Sequence, residues 1–271
     1  MSVLLRLCVP EESFNMIHPS AVIEAGARIG ANVKIGPFCY VAAGVEIGDN
    51  CILESHVVVK GPSIIGSGNH FFQFCSIGEA CQDKKYRNEP TQLLIGNDNV
   101  FRENCTVHRG TVQDKGITQI GSRGLFMNGS HIAHDCMIGD DVIFASGAQA
   151  AGHVHIGNWA IIGGMSGIHQ FCHVGAHSFI GGGSIVVKDV PPYVMAHGSH
   201  AAPHGINSEG LKRRGFTSEV ILEIRRAYKV LYRQGLTVPE ALAELKAKAD
   251  ELVELKAFTD FIEQASRGII R

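Results

Sequence analysis

The sequence has little charge of either sign and few aromatic side chains. Charged residues make up 18% and aromatic residues 7% of its 271 positions, and tryptophan occurs once. Lysine and arginine number 24 against 26 aspartate and glutamate, for a formal net charge of −2. This balance argues against a polybasic nucleic-acid binder and an acidic tail, and a hydrophobic content of 45% excludes an intrinsically disordered chain.

Long apolar runs are also missing. The longest candidate, 159–168, is interrupted by three glycines and falls far short of the roughly 20 apolar residues that a membrane-spanning helix needs. Near the N-terminus, Arg6 and Glu11 break up the short apolar stretch 3–5, so no signal-peptide pattern is expected. We therefore expect no transmembrane segment and a cytoplasmic location.

Several familiar site motifs are absent. The eight cysteines form no C-x-x-C pair, which is typical of buried, reduced thiols rather than of a disulfide or zinc-ribbon framework. The chain has no G-x-S-x-G elbow, no P-loop and no glycine-rich turn opening a helix after a strand. Serine hydrolase, nucleotide triphosphatase and dinucleotide-binding functions therefore have no support.

What the sequence does contain is a period of six. Large apolar residues recur at every sixth position from Ile23 to Ile77 and from Ile95 to Val107, and then, shifted by one, from Ile120 to Val186. Of these 25 positions only Ala150 is small, and glycine follows 12 of them, as tight bends require. Such a period predicts short strands and bends stacked coil on coil as a mainly β fold, a parallel β-helix.

The pattern divides the chain into three parts. Residues 1–16 are expected to be an N-terminal extension, and 17–195 a β-helix with loops at 78–94 and 108–119, where the period is interrupted. Residues 196–271 change to a composition rich in Ala, Leu, Glu, Lys and Arg, which predicts a C-terminal domain of two or three amphipathic helices. Thr237 to Glu240 matches a capping box at the start of one of them.

Several histidines fall near one edge of the predicted prism. Ile132, Ala150 and Ile168 are eighteen apart, so if three repeats close one coil these residues stack in successive coils. The histidines around them are His131, His134, His153 and His169. A neutral imidazole there could serve as a general base, or several could hold a metal ion that activates water. The spacing alone leaves both chemistries open.

An ordered set of motifs gives the chain a family resemblance over about residues 17 to 271. The motifs are Gly78-Glu79, Gln82-Asp83, Lys85-Tyr86, Glu89-Pro90, Thr106 to Thr111, His131 to Cys136, Ala151 to Val154, Ile161 to Met165, His169 to Cys172, Val190 to Tyr193, Glu209 to Phe216 and Lys256 to Phe261. In these motifs the chain resembles the UDP-N-acetylglucosamine O-acyltransferases that begin lipid A synthesis.

The resemblance implies a fold, an assembly and a reaction. It implies left-handed β-helices assembled as a homotrimer, with active sites in the clefts between neighbouring prisms. It also implies transfer of a 3-hydroxyacyl chain from acyl carrier protein to the 3-hydroxyl of UDP-N-acetylglucosamine, with no metal, cofactor or nucleic-acid partner.

Roles for individual residues follow from the same resemblance. It implies that His134 is the general base, with Asp135 orienting it, and that Gly152 donates a backbone N–H to the developing oxyanion. The residues implied to bind the sugar, the acyl group or the uridine diphosphate are Asp83, Lys85, His108, His131, His153, His169, Gln170, Asn207, Glu209 and Arg213. Gly182 matches the position that measures acyl length, so we expect preference for a long 3-hydroxyacyl chain.

Three other interpretations remain open at this stage. One is a related hexapeptide acyltransferase that acts on a 3-amino sugar nucleotide or takes its acyl group from coenzyme A. Another is metal-dependent hydration by histidines that bridge subunits, and the third is a structural solenoid whose histidines only pack. Under the leading interpretation, the basic run Lys212 to Arg214 is a candidate docking point for the acidic carrier protein.

Overall fold

Three parallel sheets form the faces of a triangular prism, and the chain passes from one face to the next in turn. The computed structural model describes residues 15–249 and 252–271. Sheets A, B and C hold eleven, nine and eight strands, and strands eighteen residues apart, such as His131–Ile132 and Gln149–Ala150, lie side by side. The fold is the expected left-handed parallel β-helix followed by a helical part.

The strands, numbered β1 to β28 along the chain, are mostly two residues long. Sheet A contains β1 (Met16–Ile17), β4 (Lys34–Ile35), β7 (Ile52–Leu53), β10 (His70–Phe71), β13 (Val100–Phe101), β16 (Leu125–Phe126), β19 (Ile143–Phe144), β22 (Ile161–Ile162), β25 (Phe179–Ile180), β27 (Val194–His197) and β28 (Ala202–Ile206). Sheet B contains β2 (Val22–Ile23), β5 (Tyr40–Val41), β8 (Val58–Val59), β11 (Ser76–Glu79), β14 (Thr106–His108), β17 (His131–Ile132), β20 (Gln149–Ala150), β23 (Gly167–Ile168) and β26 (Ile185–Val186). Sheet C contains β3 (Arg28–Ile29), β6 (Val45–Ile47), β9 (Ser63–Ile65), β12 (Gln92–Ile95), β15 (Ile117–Ile120), β18 (Met137–Ile138), β21 (His155–Ile156) and β24 (His173–Val174).

The core is the inward column that the six-residue period predicts. In most strands the second residue points inward and is buried, while the first faces outward. Four phenylalanines on sheet A stack along the axis: Phe71, Phe101, Phe126 and Phe144, with ring centroids 4.9, 4.6 and 5.6 Å apart. The first coil is less well covered, because both residues of β1 are exposed.

The corners between sheets need backbone angles that few residues adopt readily. Most corners are short turns with one residue in the left-handed region, and Asn, Asp and His, which tolerate this region best, fill many of these places. Asn32, Asn50, Asp98 and Asp141 are examples, with φ between 56° and 58°. The corners therefore present polar side chains at a regular spacing along each edge of the prism.

Two insertions interrupt the coils, but both loops are shorter than the sequence predicts. Ile95 pairs with Ile65, thirty positions earlier, and Ile120 pairs with Ile95, twenty-five positions earlier. Within the predicted loops 78–94 and 108–119, strand residues extend inward from both ends, leaving 80–91 and 109–116 outside strands. The reason is backbone pairing. Strands β12 and β15 pair over four residues, from Gln92 beside Ile117 to Ile95 beside Ile120, so residues of one insertion lengthen the strand formed by the other.

The C-terminal part begins with a hairpin that closes the last coil. β27 pairs in parallel with β25 and antiparallel with β28, so this hairpin lies across the boundary expected at 195 and 196. Four helices follow in the described residues, α1 (Ser208–Arg213), α2 (Ser218–Arg233), α3 (Val238–Ala249) and α4 (Val253–Gln264), against an expectation of two or three. Thr237 and Glu240 form the predicted capping box, since the Thr237 N–H donates to the Glu240 carboxylate at 2.8 Å.

The cysteines and the helices bear on two expectations drawn from composition. Seven cysteines, from Cys39 to Cys172, are free thiols and buried, while Cys8 and most of the N-terminal extension 1–16 lie outside the described residues. No helix within 15–249 and 252–271 combines the length and the apolar character needed to cross a membrane.

Replacing Phe101 by alanine is expected to lower the free energy of unfolding by about 3–5 kcal/mol, because the ring lies fully buried between two others and leaves a cavity. The change is measured by urea denaturation. Phe38→Ala is the matched control, since that ring is 62% exposed, and we expect a loss below about 1 kcal/mol. Equal losses in the two variants would contradict the assignment of the phenylalanine stack to the core.

Candidate active site

The corner between sheets B and C, called the BC corner, collects most of the predicted site residues. Its turns in three successive coils contain the pairs His134-Asp135, Gly152-His153 and Gln170-Phe171, each eighteen residues after the last. Asp135, His153 and Phe171 all adopt the left-handed conformation, with φ of 59°, 61° and 64°. Phe38, Phe74 and Trp159 adopt the same conformation at other turns, so it is a feature of the coils rather than of this corner alone.

His134 and Asp135 form a hydrogen-bonded pair at this corner. The Nδ1 of His134 lies 2.8 Å from Oδ2 of Asp135, whose side chain is only 1% exposed. In the neutral imidazole, a carboxylate in this place favours the tautomer in which Nδ1 carries the proton and donates it, with the lone pair on Nε2. An unprotonated Nε2 is what a general base requires.

The Asp135 carboxylate is held by further donors. The backbone N–H of Thr111 donates to Oδ1 at 2.8 Å and the Thr111 hydroxyl donates to Oδ2 at 2.6 Å. The Asp135 N–H in turn donates to the Thr118 hydroxyl at 2.8 Å. Burial raises the pKa of Asp135, but the hydrogen bonds from His134 and Thr111 outweigh it and keep the pKa below the ordinary value of 3.8. The carboxylate therefore stays ionised near neutral pH.

Gly152 lies directly against the imidazole of His134. A Cβ built on Gly152 would approach the Cε1 and Nε2 atoms of His134 to 2.5 and 2.6 Å, closer than side chains pack. Within the described residues the Gly152 N–H has no hydrogen-bond acceptor, as is also true of the N–H groups of His134 and Gln170 at the same turn position. Only glycine therefore leaves room for the His134 ring at this position, and the unpaired N–H of Gly152 lies beside that ring.

An open cavity of about 670 Å³ lies over sheet B next to this pair. Its lining includes His134, Gly152 and His169 on the corner side and Gln82 and Asp83 from the loop 80–91. His108 and His131 form its inner wall and meet edge to face, with ring centroids 5.1 Å apart. The cavity therefore brings together residues from both the coils and an inserted loop.

The two inner histidines are neutral at physiological pH. Burial lowers the pKa of His108 to about 4, and the neighbouring His131, His134 and Arg109 act in the same direction. Burial, with His134 nearby, also lowers the pKa of His131. The Nδ1 of His131 lies 2.7 Å from the Thr106 hydroxyl. Neutral rings can both donate and accept hydrogen bonds, as the hydroxyl groups of a polar ligand demand.

The loop 80–91 is fixed by Arg109 at its base. The guanidinium of Arg109 donates to the carbonyls of Gly61 at 2.5 Å and Gly78 at 2.7 Å, and approaches the Tyr86 hydroxyl at 3.4 Å. Within the loop, Asp83 accepts a bond from the Lys85 N–H at 2.9 Å, while the Lys85 side chain is exposed. Asp83 thus lines the cavity, whereas Lys85 is not among its lining residues.

His153, His169 and Gln170 complete the corner. The His153 ring meets His134 edge to face at 5.1 Å and stacks on Phe171 at 4.4 Å. His169 is exposed and its Nδ1 bonds to the Gln170 carbonyl at 3.1 Å. Gln170 is also exposed. His169 lines the cavity, whereas His153 packs against the wall that His134 and Asp135 form.

The remaining predicted residues lie on other edges of the prism. Gly182 is at the corner between sheets A and B, stacked below Gly164. Asn207 caps α1: its side chain accepts from the Gly210 N–H at 3.1 Å and donates to the His177 carbonyl at 3.0 Å, at the corner between sheets C and A. Glu209 pairs with Lys212 and Arg213 is exposed; both belong to α1. Within one chain, the structure does not bring these residues to His134.

Three groups at the BC corner also meet the spacing of a metal site. One ligand atom from each of His134, Asp135 and His153 lies within 4.8 Å of the others. Both oxygens of Asp135, however, already accept hydrogen bonds from Thr111 and His134, so metal binding would have to break them. These three side chains could therefore serve as metal ligands, but the hydrogen bonds that Asp135 accepts compete with metal binding.

Sequence reasoning missed Thr111, Thr118 and Asp114. Thr111 and Thr118 hold Asp135, and Asp114 lies 3.0 Å from His153. All three lie in the predicted loop 108–119, so the interruption of the period was the available signal. Their partners could not be named, because the path of an inserted loop is not set by the repeat.

The chain is similar to known proteins over most of its length. A family model described as UDP-N-acetylglucosamine O-acyltransferase, domain 2, matches residues 189–270, and the bacterial transferase hexapeptide model matches 12–43 and 26–61. LpxA from Acinetobacter baumannii is 49% identical with a TM-score of 0.92, and the match covers 94% of this chain and all of that one.

Two further solved structures are similar over the same share of this chain. The UDP-N-acetylglucosamine acyltransferase of Francisella novicida is 44% identical with a TM-score of 0.93, and the match covers 94% of each chain. The UDP-N-acetylglucosamine O-acyltransferase of Moraxella catarrhalis is 46% identical with a TM-score of 0.92, and the match covers 94% of this chain and 99% of that one.

Gly152→Ala is expected to push the His134 ring away from Asp135, because the new methyl group would overlap it. A crystal structure of the variant should show the Nδ1–Oδ2 distance lengthened beyond about 3.5 Å, where a hydrogen bond is lost. Gly167→Ala is the matched control, since a Cβ there meets no atom within 4 Å, and the distance should stay as it is. An unchanged His134–Asp135 pair in Gly152→Ala would refute the steric argument.

Proposed function

The chain belongs to the UDP-N-acetylglucosamine O-acyltransferase family, and from this premise we propose that its BC corner transfers a 3-hydroxyacyl chain from acyl carrier protein to the 3-hydroxyl of UDP-N-acetylglucosamine. The protein is an O-acyltransferase of the first step of lipid A biosynthesis. One observation carries the assignment of the corner: the buried carboxylate of Asp135 holds His134 as a base beside the free N–H of Gly152.

In the proposed reaction His134 acts as the general base. A sugar hydroxyl is a weak nucleophile, and Nε2 of His134 takes its proton as the oxygen attacks the thioester carbonyl. The imidazolium that forms is stabilised by the ionised carboxylate of Asp135. When the tetrahedral intermediate collapses, the carbon–sulfur bond breaks and the thiolate of the carrier takes the proton back from His134. The products are the ester and a free thiol.

Gly152 is proposed to stabilise the oxyanion. Negative charge develops on the thioester oxygen during attack, and a preorganised N–H that needs no rearrangement is well suited to receive it. The Gly152 N–H is unpaired within the described residues and lies beside His134, where the reacting carbon must sit. The base and the oxyanion donor thus come from neighbouring coils of the same corner.

The cavity residues are proposed to bind the acceptor. Neutral His108 and His131 offer both donor and acceptor nitrogens to the sugar hydroxyl groups. At the corner, the exposed Gln170 adds an amide N–H donor and an amide oxygen acceptor, and the ring of His169 faces the same cavity. Asp83 lines the same cavity, and Lys85 is exposed two residues further along the loop, where its ammonium group is available to a diphosphate.

A homotrimer is proposed because the site residues are divided among different edges. Gly182 lies at the corner between sheets A and B, and Asn207, Glu209 and Arg213 lie at or next to α1. If three prisms pack around an axis, edges of neighbouring copies face one another across a cleft. Such a cleft would join the His134 corner of one copy to the acyl-measuring and diphosphate-binding residues of another.

The proposed acyl donor is acyl carrier protein, which is acidic, and the proposed location is the cytoplasm. Lys212 and Arg213 are exposed on α1, and the pair that Lys212 forms with Glu209 is itself exposed, so an acidic partner can compete for it. Arg214 is engaged otherwise: its guanidinium lies over the Trp159 ring, 5.2 Å from the centroid, and 3.3 Å from Nδ1 of His177. The docking proposal therefore rests on Lys212 and Arg213.

The reaction is tested by offering 3-hydroxyacyl carrier proteins of several chain lengths to UDP-N-acetylglucosamine in the presence of a chelator. We expect turnover by the wild type and a loss of about 10²- to 10⁴-fold in His134→Ala, with the thermal midpoint retained. Turnover that requires added metal would support the metal alternative. Turnover only with a 3-amino sugar nucleotide or an acyl-coenzyme A would contradict the acceptor or donor proposed here.

Gly182→Met is expected to shift the preference toward shorter acyl chains. A Cβ at Gly182 would already lie 3.3 Å from the Gly164 carbonyl oxygen, so a longer side chain must extend away from the corner into the space left for the acyl chain. The ratio of kcat/KM for short against long donors should rise about tenfold or more. Unchanged chain preference in a folded variant would show that acyl length is measured elsewhere.

A further inference from the structure

The turn 109–116, which joins β14 to β15, reaches over the BC corner and places a carboxylate on it. Oδ2 of Asp114 lies 3.0 Å from Nδ1 of His153, thirty-nine residues further along the chain. The Asp114 side chain is 34% exposed and that of His153 is 11% exposed, so the contact lies at the edge of the corner and partly shielded from water. No repeat position predicts Asp114, because it belongs to an insertion.

The His153 ring is constrained on every side. One face stacks on Phe171 with an angle of 11° between the planes, and His134 meets the ring at 89°. Its Nδ1 faces Asp114, and its Nε2 lies 3.8 Å from Oδ2 of Asp135, the same oxygen that accepts from His134. Asp114 and His153 thus repeat, one coil later, the arrangement of Asp135 and His134.

We propose that Asp114 is a positioning residue, which holds the proton on Nδ1 of His153 and fixes that ring against His134 and Asp135. The proposal rests on the function proposed above, because its effect on turnover requires that His134 is the base. Asp114 touches no reacting atom in this arrangement. It acts through His153, whose fixed ring prevents the His134 imidazole from rotating away from the carboxylate that orients it.

The geometry favours this role over a simple surface ion pair. A surface pair contributes little, since solvent screens both partners and two side chains lose freedom. Here the imidazole is already held by Phe171 and by its own corner, so the carboxylate decides mainly which ring nitrogen carries the proton. That choice determines whether Nε2 faces Asp135 as a donor or as an acceptor.

The first test measures kinetics of the full-length protein. Asp114→Ala is expected to lower kcat about tenfold while KM for UDP-N-acetylglucosamine changes less than about twofold, since His153 packs beside His134 rather than lining the cavity. Asp114→Asn, whose amide oxygen still accepts from Nδ1, should restore part of the loss. Gln113→Ala, an exposed neighbour in the same turn, is the matched control and should leave both constants unchanged.

A double-variant comparison separates positioning from a general effect on the loop. His153→Asn removes the ring but keeps a residue type that tolerates the left-handed backbone at this position. If Asp114 acts through His153, then Asp114→Ala should cause no further loss of kcat in that background. Additive losses, or a rise in KM with kcat unchanged, would overturn the proposal.

A second readout does not depend on activity. In protein labelled with ¹⁵N-histidine, and with His153 assigned from its variant, the spectrum reports which ring nitrogen carries the proton. We expect Nδ1 of His153 to be protonated in the wild type and this preference to be lost in Asp114→Ala. An Nε2-protonated ring in the wild type would refute the role of Asp114, whereas an inactive wild type with the expected spectrum would refute the proposed function alone.

Discussion

Backbone pairing between coils eighteen residues apart is the constraint on which the rest of this molecule depends. Strands of two residues cannot hold themselves in place, so each coil is held by the N–H and carbonyl groups of the next, as when the Ala133 N–H donates to the Ala150 carbonyl at 3.0 Å. Equal positions in successive coils must therefore stack. The same rule that builds the apolar column inside also builds columns of polar residues along the corners, and the BC corner is one of these.

Charge at this corner is controlled by burial and by hydrogen bonds more than by opposite charges. Asp135 is almost fully enclosed, yet three hydrogen bonds from Thr111 and His134 keep it ionised. The nearby His108 and His131 respond to burial in the opposite way and stay neutral. The buried, ionised carboxylate of Asp135 thus gives His134 a partner that stabilises its protonated form.

The sequence predicts the parts of the structure that follow the repeat. The inward column, the prism and the gathering of His131, His134, His153 and His169 near one edge all follow from the period of six, because side chains at equal positions must stack. The pairing of strands that extend into both insertions could not be predicted, since it depends on how the two loops lie on one another.

The repeat also could not predict the contacts that the insertions make. Thr111 and Asp114 meet their partners only because the turn 109–116 folds back over the corner, a path set by packing. The family resemblance supplied roles for Gly182 and Asn207, but it could not show that a single chain leaves them on other edges than His134. Their separation from His134 depends on the strand order, which assigns each residue to a corner of the prism.

The uneven ends of the prism have a consequence for how the molecule comes apart. A stack in which each coil touches only its neighbours opens from its ends, and the local free energy of opening rises toward the middle. At one end β1 is exposed on both residues, whereas at the other the helices and the pairing of Ile270 with Asp189 cover the last coil. Fraying therefore starts at the N-terminal coil, several layers away from His134, and hydrogen exchange should be fastest there while the layers around His134 keep their protection.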